Sequence, residues 1–176
     1  VGTYIPLYLL DELGIKDIRV ALLLSLAQTM GIISQPIMGN LSDTKGRKIV
    51  LVIGTGCVGL LSIGLAIMAH PSIASINSSF VIIGLWALIL GKGAFTFSLH
   101  HIYLAAALDI SGSKMQSSVV AIMYGSGIIS TFSPTLAGLM ADKYGYYSAF
   151  LLGGIILIAA AFVLLFFKIT KQQINS

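Results

Sequence analysis

An all-α integral membrane bundle is the architecture this sequence predicts, and three observations lead to it. Of 176 residues, 57% are hydrophobic and only 9% are charged, where a soluble domain carries about 25% charged residues. The hydrophobic residues gather in continuous runs of helix length, each near the roughly 20 residues that cross a bilayer's hydrocarbon. The runs also lack the alternating, ten-residue pattern that the strands of a membrane barrel need. Only helices and closed barrels satisfy their own backbone inside lipid, so the helical bundle remains. A mean hydropathy of +0.98 agrees.

Taken in order, residues 1–10 (VGTYIPLYLL) are apolar but at about 1.5 Å per residue cross only half the bilayer. They are expected to be the tail of a truncated first helix, with sequence missing upstream. Leu10 to Arg19 is a polar connector, and five fuller spans follow at about 20–41, 49–69, 79–106, 117–140 and 148–167. The spans at 49–69 and 148–167 hold no charged residue and read as packing helices whose glycines let backbones approach closely. Gly54 to Gly59 matches the dinucleotide pattern G-x-G-x-x-G, yet it lies inside a span, and no acidic residue between Asp43 and Asp109 is available to hold a ribose. The spans at 20–41, 79–106 and 117–140 carry the polar groups.

The ten basic residues are scattered over the connectors and one span, with no basic face and no interleaved aromatics, which excludes nucleic acid as a partner. The lone Cys57 excludes a disulfide framework and a cysteine-based metal site, and no cofactor or metal is expected. Basic residues favour the cytoplasmic side of short connectors. Lys45, Arg47, Lys48, Lys114, Lys168 and Lys171 fall on one side, and Lys16, Arg19 and Lys143 on the other. The first side and the C-terminus are therefore expected in the cytoplasm, with the chain in the plasma membrane and the lipid bilayer as its partner.

Gly39, Asp43 and Gly46 form the spacing G-x-x-x-D-x-x-G, which returns as Gly138, Asp142 and Gly145, an offset of 99 residues throughout. Both copies follow a polar, proline-bearing span and precede an uncharged one, so the repeated unit is three spans. Three is odd, which places the copies on opposite membrane faces and makes an inverted 3+3 repeat of the kind secondary transporters use.

The stretch from Gly39 to Lys48 (GNLSDTKGRK) resembles the signature loop of the major facilitator superfamily, written G-x-L-x-D-R-x-G-R-R. It matches at Gly39, Leu41, Asp43, Gly46 and Arg47, is conservative at Lys48 and departs at Thr44. The segment from Ser133 to Gly138, followed by Asp142, Gly145 and Phe150, is similar to the family's eleventh-to-twelfth helix region. The resemblance covers the whole chain and implies one six-helix half, residues 1–176, of a twelve-helix bundle. The N-terminal half of the family usually carries an arginine in its fourth span; here that span has Lys92 and no arginine, and the chain ends in a short polar tail. The C-terminal half is therefore expected, with the N-terminal half of the same chain as its missing partner. The resemblance also implies a cytoplasmic gate built from Gly39, Asp43, Gly46, Arg47 and Lys48, in which Asp43 accepts hydrogen bonds from Arg47 or from a neighbouring helix.

An ionisable group at mid-membrane costs about 2.5–3.5 kcal/mol and is kept facing a cavity or a partner. Lys92, near the middle of its span, is such a group. Lys92, Thr96, His100 and Tyr103 fall at i, i+4, i+8 and i+11 on one helix face, with His101 turned away. This stripe is expected to line a solute pathway, with Lys92 as a fixed positive charge for an anionic or carbonyl-bearing solute and His100 as a proton site. Gln28, Tyr124 and Ser130 join it from the other polar spans. Adjacent histidines diverge on a helix and no third ligand is evident, so the pair is not a metal site. No nucleotide-binding motif and no catalytic constellation appears. The expectation is a secondary active transporter, not an enzyme, carrying a small-molecule solute by alternating access with ion (proton) coupling by a symport or antiport route; a non-transporting membrane receptor or scaffold of the same fold is the alternative.

Overall fold

The structure, a computed structural model, describes residues 2–74, 79–111 and 115–167. Among them every regular element is a helix. The first helix is α1 (Tyr4–Leu7), continued by a π turn over Tyr8–Glu12. The long helices are α2 (Asp17–Lys45), α3 (Arg47–Met68), α5 (Ser79–Ser111) and α9 (Tyr146–Phe166), all long and apolar enough to cross a membrane. A single turn, α4 (Pro71–Ala74), follows α3, and the segment before α9 comprises α6 (Gln116–Gly125), α7 (Gly127–Ser130) and α8 (Phe132–Tyr144). This is the all-α membrane bundle expected from composition.

Three boundaries differ from expectation. The region expected as one span over 117–140 is broken at Ser126 and Thr131. There the hydroxyls of Ser126, Ser130 and Thr131 each bond a carbonyl three residues back, at 2.6 Å, offering the backbone a local alternative to the helical ladder. Pro134 then falls in the first turn of α8, where a missing N–H costs nothing. The first helix runs to Glu12, into the expected connector, because Asp11 has a partner on α9. At 33 residues, about 50 Å, α5 outruns the hydrocarbon and carries Asp109 clear of it.

Two one-residue turns reverse the chain. Gly46 has φ +95° and Gly145 φ +90°, a region that L side chains avoid, and each amide closes the helix before it, on Ser42 and Ala141 respectively. The repeat seen in the signature spacing thus extends to the backbone. Helices α2 and α6 begin 99 residues apart, as do α3 and α9. Arg47 and Lys48 mark one end of the bundle, the charged end, where Lys48 Nζ donates to the Leu165 carbonyl of α9 at 2.7 Å. His70 stacks edge-on against Tyr147 at the other, the tyrosine end.

Helix α3 packs on α9 and α5, and α5 on α2. At the α3–α9 crossing Gly59 and Gly154 face each other, and a Cβ on Gly154 would stand 3.0 Å from the Gly59 carbonyl. Helices α2 and α5 touch at Gly93, where a Cβ would collide with the Ala27 carbonyl. One apolar core, around Leu9, Leu23, Leu65, Leu85 and Phe150, fills the tyrosine end. A second, around Leu51, Val58, Leu99 and Ile102, fills the charged end. Between them, where α2, α3 and α5 meet, lies a polar layer of Ser34, Ser62, Lys92 and Ser98. The bundle's outside is lined by exposed apolar side chains such as Ile53, Leu60, Phe162 and Phe166, an arrangement stable against lipid and not against water.

Candidate functional site

The polar layer is built where α2, α3 and α5 meet. Lys92, only 9% exposed, donates from Nζ to Ser62 Oγ on α3 at 3.1 Å, and Ser62 in turn donates to the Val58 carbonyl at 2.8 Å. Among the described residues no carboxylate pairs with Lys92. An ammonium has three donors, and one is used here. Ser34 of α2 and Ser98 of α5 share a hydrogen bond, with Ser34 also donating to the Ala94 carbonyl at 2.6 Å. Thr55 of α3 and Tyr103 of α5 share another, within the charged-end core. In lipid, where no water competes, each such bond is worth about 0.6 kcal/mol and fixes helix register as well.

Two cavities open on this layer. One, of about 300 Å³, is lined by Lys92, Gln28, Thr96, Ile5, Leu24 and Phe97. The other, of about 490 Å³, is lined by Thr55, Thr96, Phe97, His100, His101 and Tyr103. Thr96 and Phe97 belong to both, so the expected stripe of Lys92, Thr96, His100 and Tyr103 runs along the two cavities in sequence. Gln28 reaches the Lys92 cavity. Tyr124 meets His100 with ring centroids 6.2 Å apart. Ser130 does not join them: it is exposed and its hydroxyl is spent on its own helix. His101, expected to be turned away, lines the same cavity as His100, because that cavity is wide enough to span two successive helical positions.

At the charged end, Gly39 and Gly46 frame the turn and Asp43 lies 3.8 Å from Arg47. The shorter contact of Arg47 is elsewhere: its Nε stands 2.6 Å from Asp109 Oδ2 at the end of α5, and both side chains are only 20% exposed. Asp43, with a side chain 65% exposed, is left open for a further partner. Thr44, where the signature has a base, bonds the Asn40 carbonyl at 2.9 Å. Lys114, Lys168 and Lys171, counted for orientation, lie outside the described residues.

Sequence reading missed Asp109, Ser62, Thr55 and the Ser34–Ser98 pair. A signal existed for two of them: Thr55 and Ser62 are seven residues apart in an otherwise apolar span and so share one helix face.

Comparison with known proteins agrees with this geometry. The multi-drug resistance efflux pump PmrA homolog of Lactococcus lactis is 28% identical over 171 residues, 95% of this chain. Multidrug resistance protein MdtG is 27% identical over 169 residues, 93% of the chain, in Proteus mirabilis, and 27% over 177 residues, 96% of the chain, in Yersinia enterocolitica. The chain spans 39% of the length of each of these relatives. No solved structure matches it. The sequence profile of the Major Facilitator Superfamily matches residues 1–175, and with the signature turn, the inverted repeat and the membrane bundle in agreement, the chain belongs to the Major Facilitator Superfamily.

Proposed function

We propose that the chain is the C-terminal six-helix half of a secondary active transporter of the plasma membrane, which moves a small solute by alternating access under a proton gradient. The charged end and the C-terminus face the cytoplasm in this reading, and the N-terminal half of the same chain completes the cavity. The observation that carries it is Lys92, a buried ammonium with unspent donors at mid-membrane, opening on a cavity beside Gln28 and Thr96. A receptor or scaffold gains nothing from that charge, whereas a transporter uses it to hold a solute that must bind and then leave.

The relatives are named for multidrug resistance and efflux, which supports an amphiphilic solute and outward transport. Phe97, Leu24 and Ile5 supply the apolar wall for its body. Lys92 favours an anionic or carbonyl-bearing head, and His100 is the candidate proton site.

Solute movement in proteoliposomes of the full-length parent tests the reading, with wild type compared against Lys92→Ala over anionic, neutral and cationic solutes, with and without a proton gradient. The expected result is gradient-driven transport in wild type and a loss in Lys92→Ala confined to anionic and carbonyl-bearing solutes. Unchanged transport of every solute would remove Lys92 from the binding site, and no transport by wild type would favour the scaffold.

A further inference from the structure

Resting on the transporter reading above, we propose that Asp11 and Tyr146 form a second clasp of the transport cycle, at the opposite end of the bundle from Arg47 and Asp109 and antagonistic to it. Tyr146 donates from its hydroxyl to Asp11 Oδ2 at 2.8 Å. Tyr146 is the first residue of α9, immediately after the Gly145 turn, and Arg47 is the first residue of α3, immediately after the Gly46 turn. The two donors are 146 − 47 = 99 residues apart, the offset of the repeat.

The acceptors correspond as well. Asp109 lies two residues before the end of α5, the first helix of the second triplet, and Asp11 lies one residue before the end of the first helix of the first triplet. They are 109 − 11 = 98 residues apart, one short of the repeat, while Tyr4 and Tyr103 further up the same two helices are 103 − 4 = 99 apart. The π turn over Tyr8–Glu12 accounts for the difference. Its amide-to-carbonyl bonds reach five residues back, as from Leu13 to Tyr8, so it takes up one residue more than an α turn. That extra residue carries Asp11 round to the position that Asp109 holds on an uninterrupted helix.

Each clasp therefore joins the third helix of one triplet to the far end of the first helix of the other triplet. Those first helices are the ones that line the cavities, through Ile5 on one and Lys92 and Thr96 on the other. A clasp fixes where its first helix stands at one mouth of the bundle. Both clasps are closed in this structure; alternating access opens one mouth while the other is shut, so the Asp11–Tyr146 clasp must part for the tyrosine end to open and the Arg47–Asp109 clasp for the charged end to open. Asp11 and Tyr146 are positioning residues in this scheme and touch no solute. Tyrosine in place of arginine makes the tyrosine-end clasp a single hydrogen bond, weaker than a charge pair.

The test uses the full-length parent in a cysteine-free background with Thr96→Cys as reporter, since Thr96 lines both cavities. The rate of labelling by a membrane-impermeant maleimide is measured from each side, in right-side-out and inside-out vesicles. Tyr146→Phe keeps the ring packed on Tyr4 and Tyr8 and removes only the hydroxyl. It is expected to raise the tyrosine-end to charged-end labelling ratio by about three- to tenfold, the population shift that one lost hydrogen bond produces. Asp11→Ala, at an exposed position, is expected to do the same. Asp109→Asn is expected to move the ratio the other way, and the Tyr146→Phe, Asp109→Asn double variant to return to within about twofold of wild type. A contact that merely stabilised the fold would give no such compensation. The proposal is overturned if Tyr146→Phe and Asp11→Ala leave the ratio unmoved or shift it in the same direction as Asp109→Asn. A ratio that responds while the parent with Thr96 intact moves no solute supports the clasp while the transporter reading fails, and a ratio that does not respond while that parent moves solute overturns the clasp alone.

Discussion

A lysine ammonium inside a bilayer has few stable surroundings, and Lys92 occupies one, held by a serine whose own proton is committed to the helix backbone. Ser62→Ala leaves the ammonium with no acceptor there, which is expected to cost about 1–3 kcal/mol and lower the melting temperature in detergent by about 2–4 °C per kcal/mol. Adding Lys92→Met to Ser62→Ala removes the buried charge itself and is expected to recover most of that loss; a double variant no more stable than Ser62→Ala would show that Ser62 acts through packing. At the charged end two aspartates share Arg47, and their exposures predict different roles. Asp43→Asn, at a side chain 65% exposed and 3.8 Å from Arg47, is expected to leave insertion and melting unchanged, since so exposed a carboxylate adds little to the fold, while transport falls to background under the proposed gate role; wild-type transport would remove Asp43 from the gate. The Lys92 stripe and Asp43 were legible in the sequence because helical spacing and signature spacing are local properties. Asp109 was not, because its bond depends on α5 returning to Arg47, 62 residues away, and no local pattern encodes that return.

Among the elements, the spans were legible because hydrophobic runs of bilayer length have one stable solution in lipid. Their ends were not, since a polar residue at the rim of a run stays helical when it finds a partner, as Asp109 and Asp11 do. The break in the segment from α6 to α8 was visible in composition, where Gly125, Ser126 and Gly127 precede Ser130 and Thr131. The hydroxyls there bond their own backbone and interrupt the helix. Close packing of α2 on α5 gives a direct prediction. Gly93→Ala places a methyl group against the backbone of Ala27, which cannot give way as a side chain can. The expected cost is about 1–3 kcal/mol, read as a lower melting temperature and a smaller monodisperse fraction in detergent. Gly125→Ala has nothing within 4 Å of the added Cβ and is expected to melt at or above the wild-type temperature; equal effects of the two substitutions would mean that α2 and α5 do not cross at Gly93.

At the scale of the whole molecule, the inverted repeat explains why Ser62 and Lys92 meet between the two apolar cores. Two antiparallel triplets place their midpoints at the same membrane depth, so Ser62 and Lys92 meet although they belong to different triplets, and the apolar cores separate toward the two ends. The same geometry leaves one side of the bundle with polar groups and no cover. Gln28, Thr96, His100 and Tyr124 are exposed in the described residues, on the helices that line the cavities. Lipid does not solvate such groups, and each prefers a protein partner. The chain spans 39% of its relatives' length, and in the full-length protein the proposed N-terminal half is that partner. Expressed alone, residues 1–176 are expected to associate through this face, so light scattering behind size-exclusion chromatography should give a dimer or larger species. Co-expression with the N-terminal half of the same parent should replace that species with a one-to-one complex, because the cavity face closes on its own partner with more of its polar groups satisfied. A stable, monodisperse monomer of the isolated chain would mean that the polar face is already satisfied within it, and would remove the physical reason for placing the solute pathway between two halves.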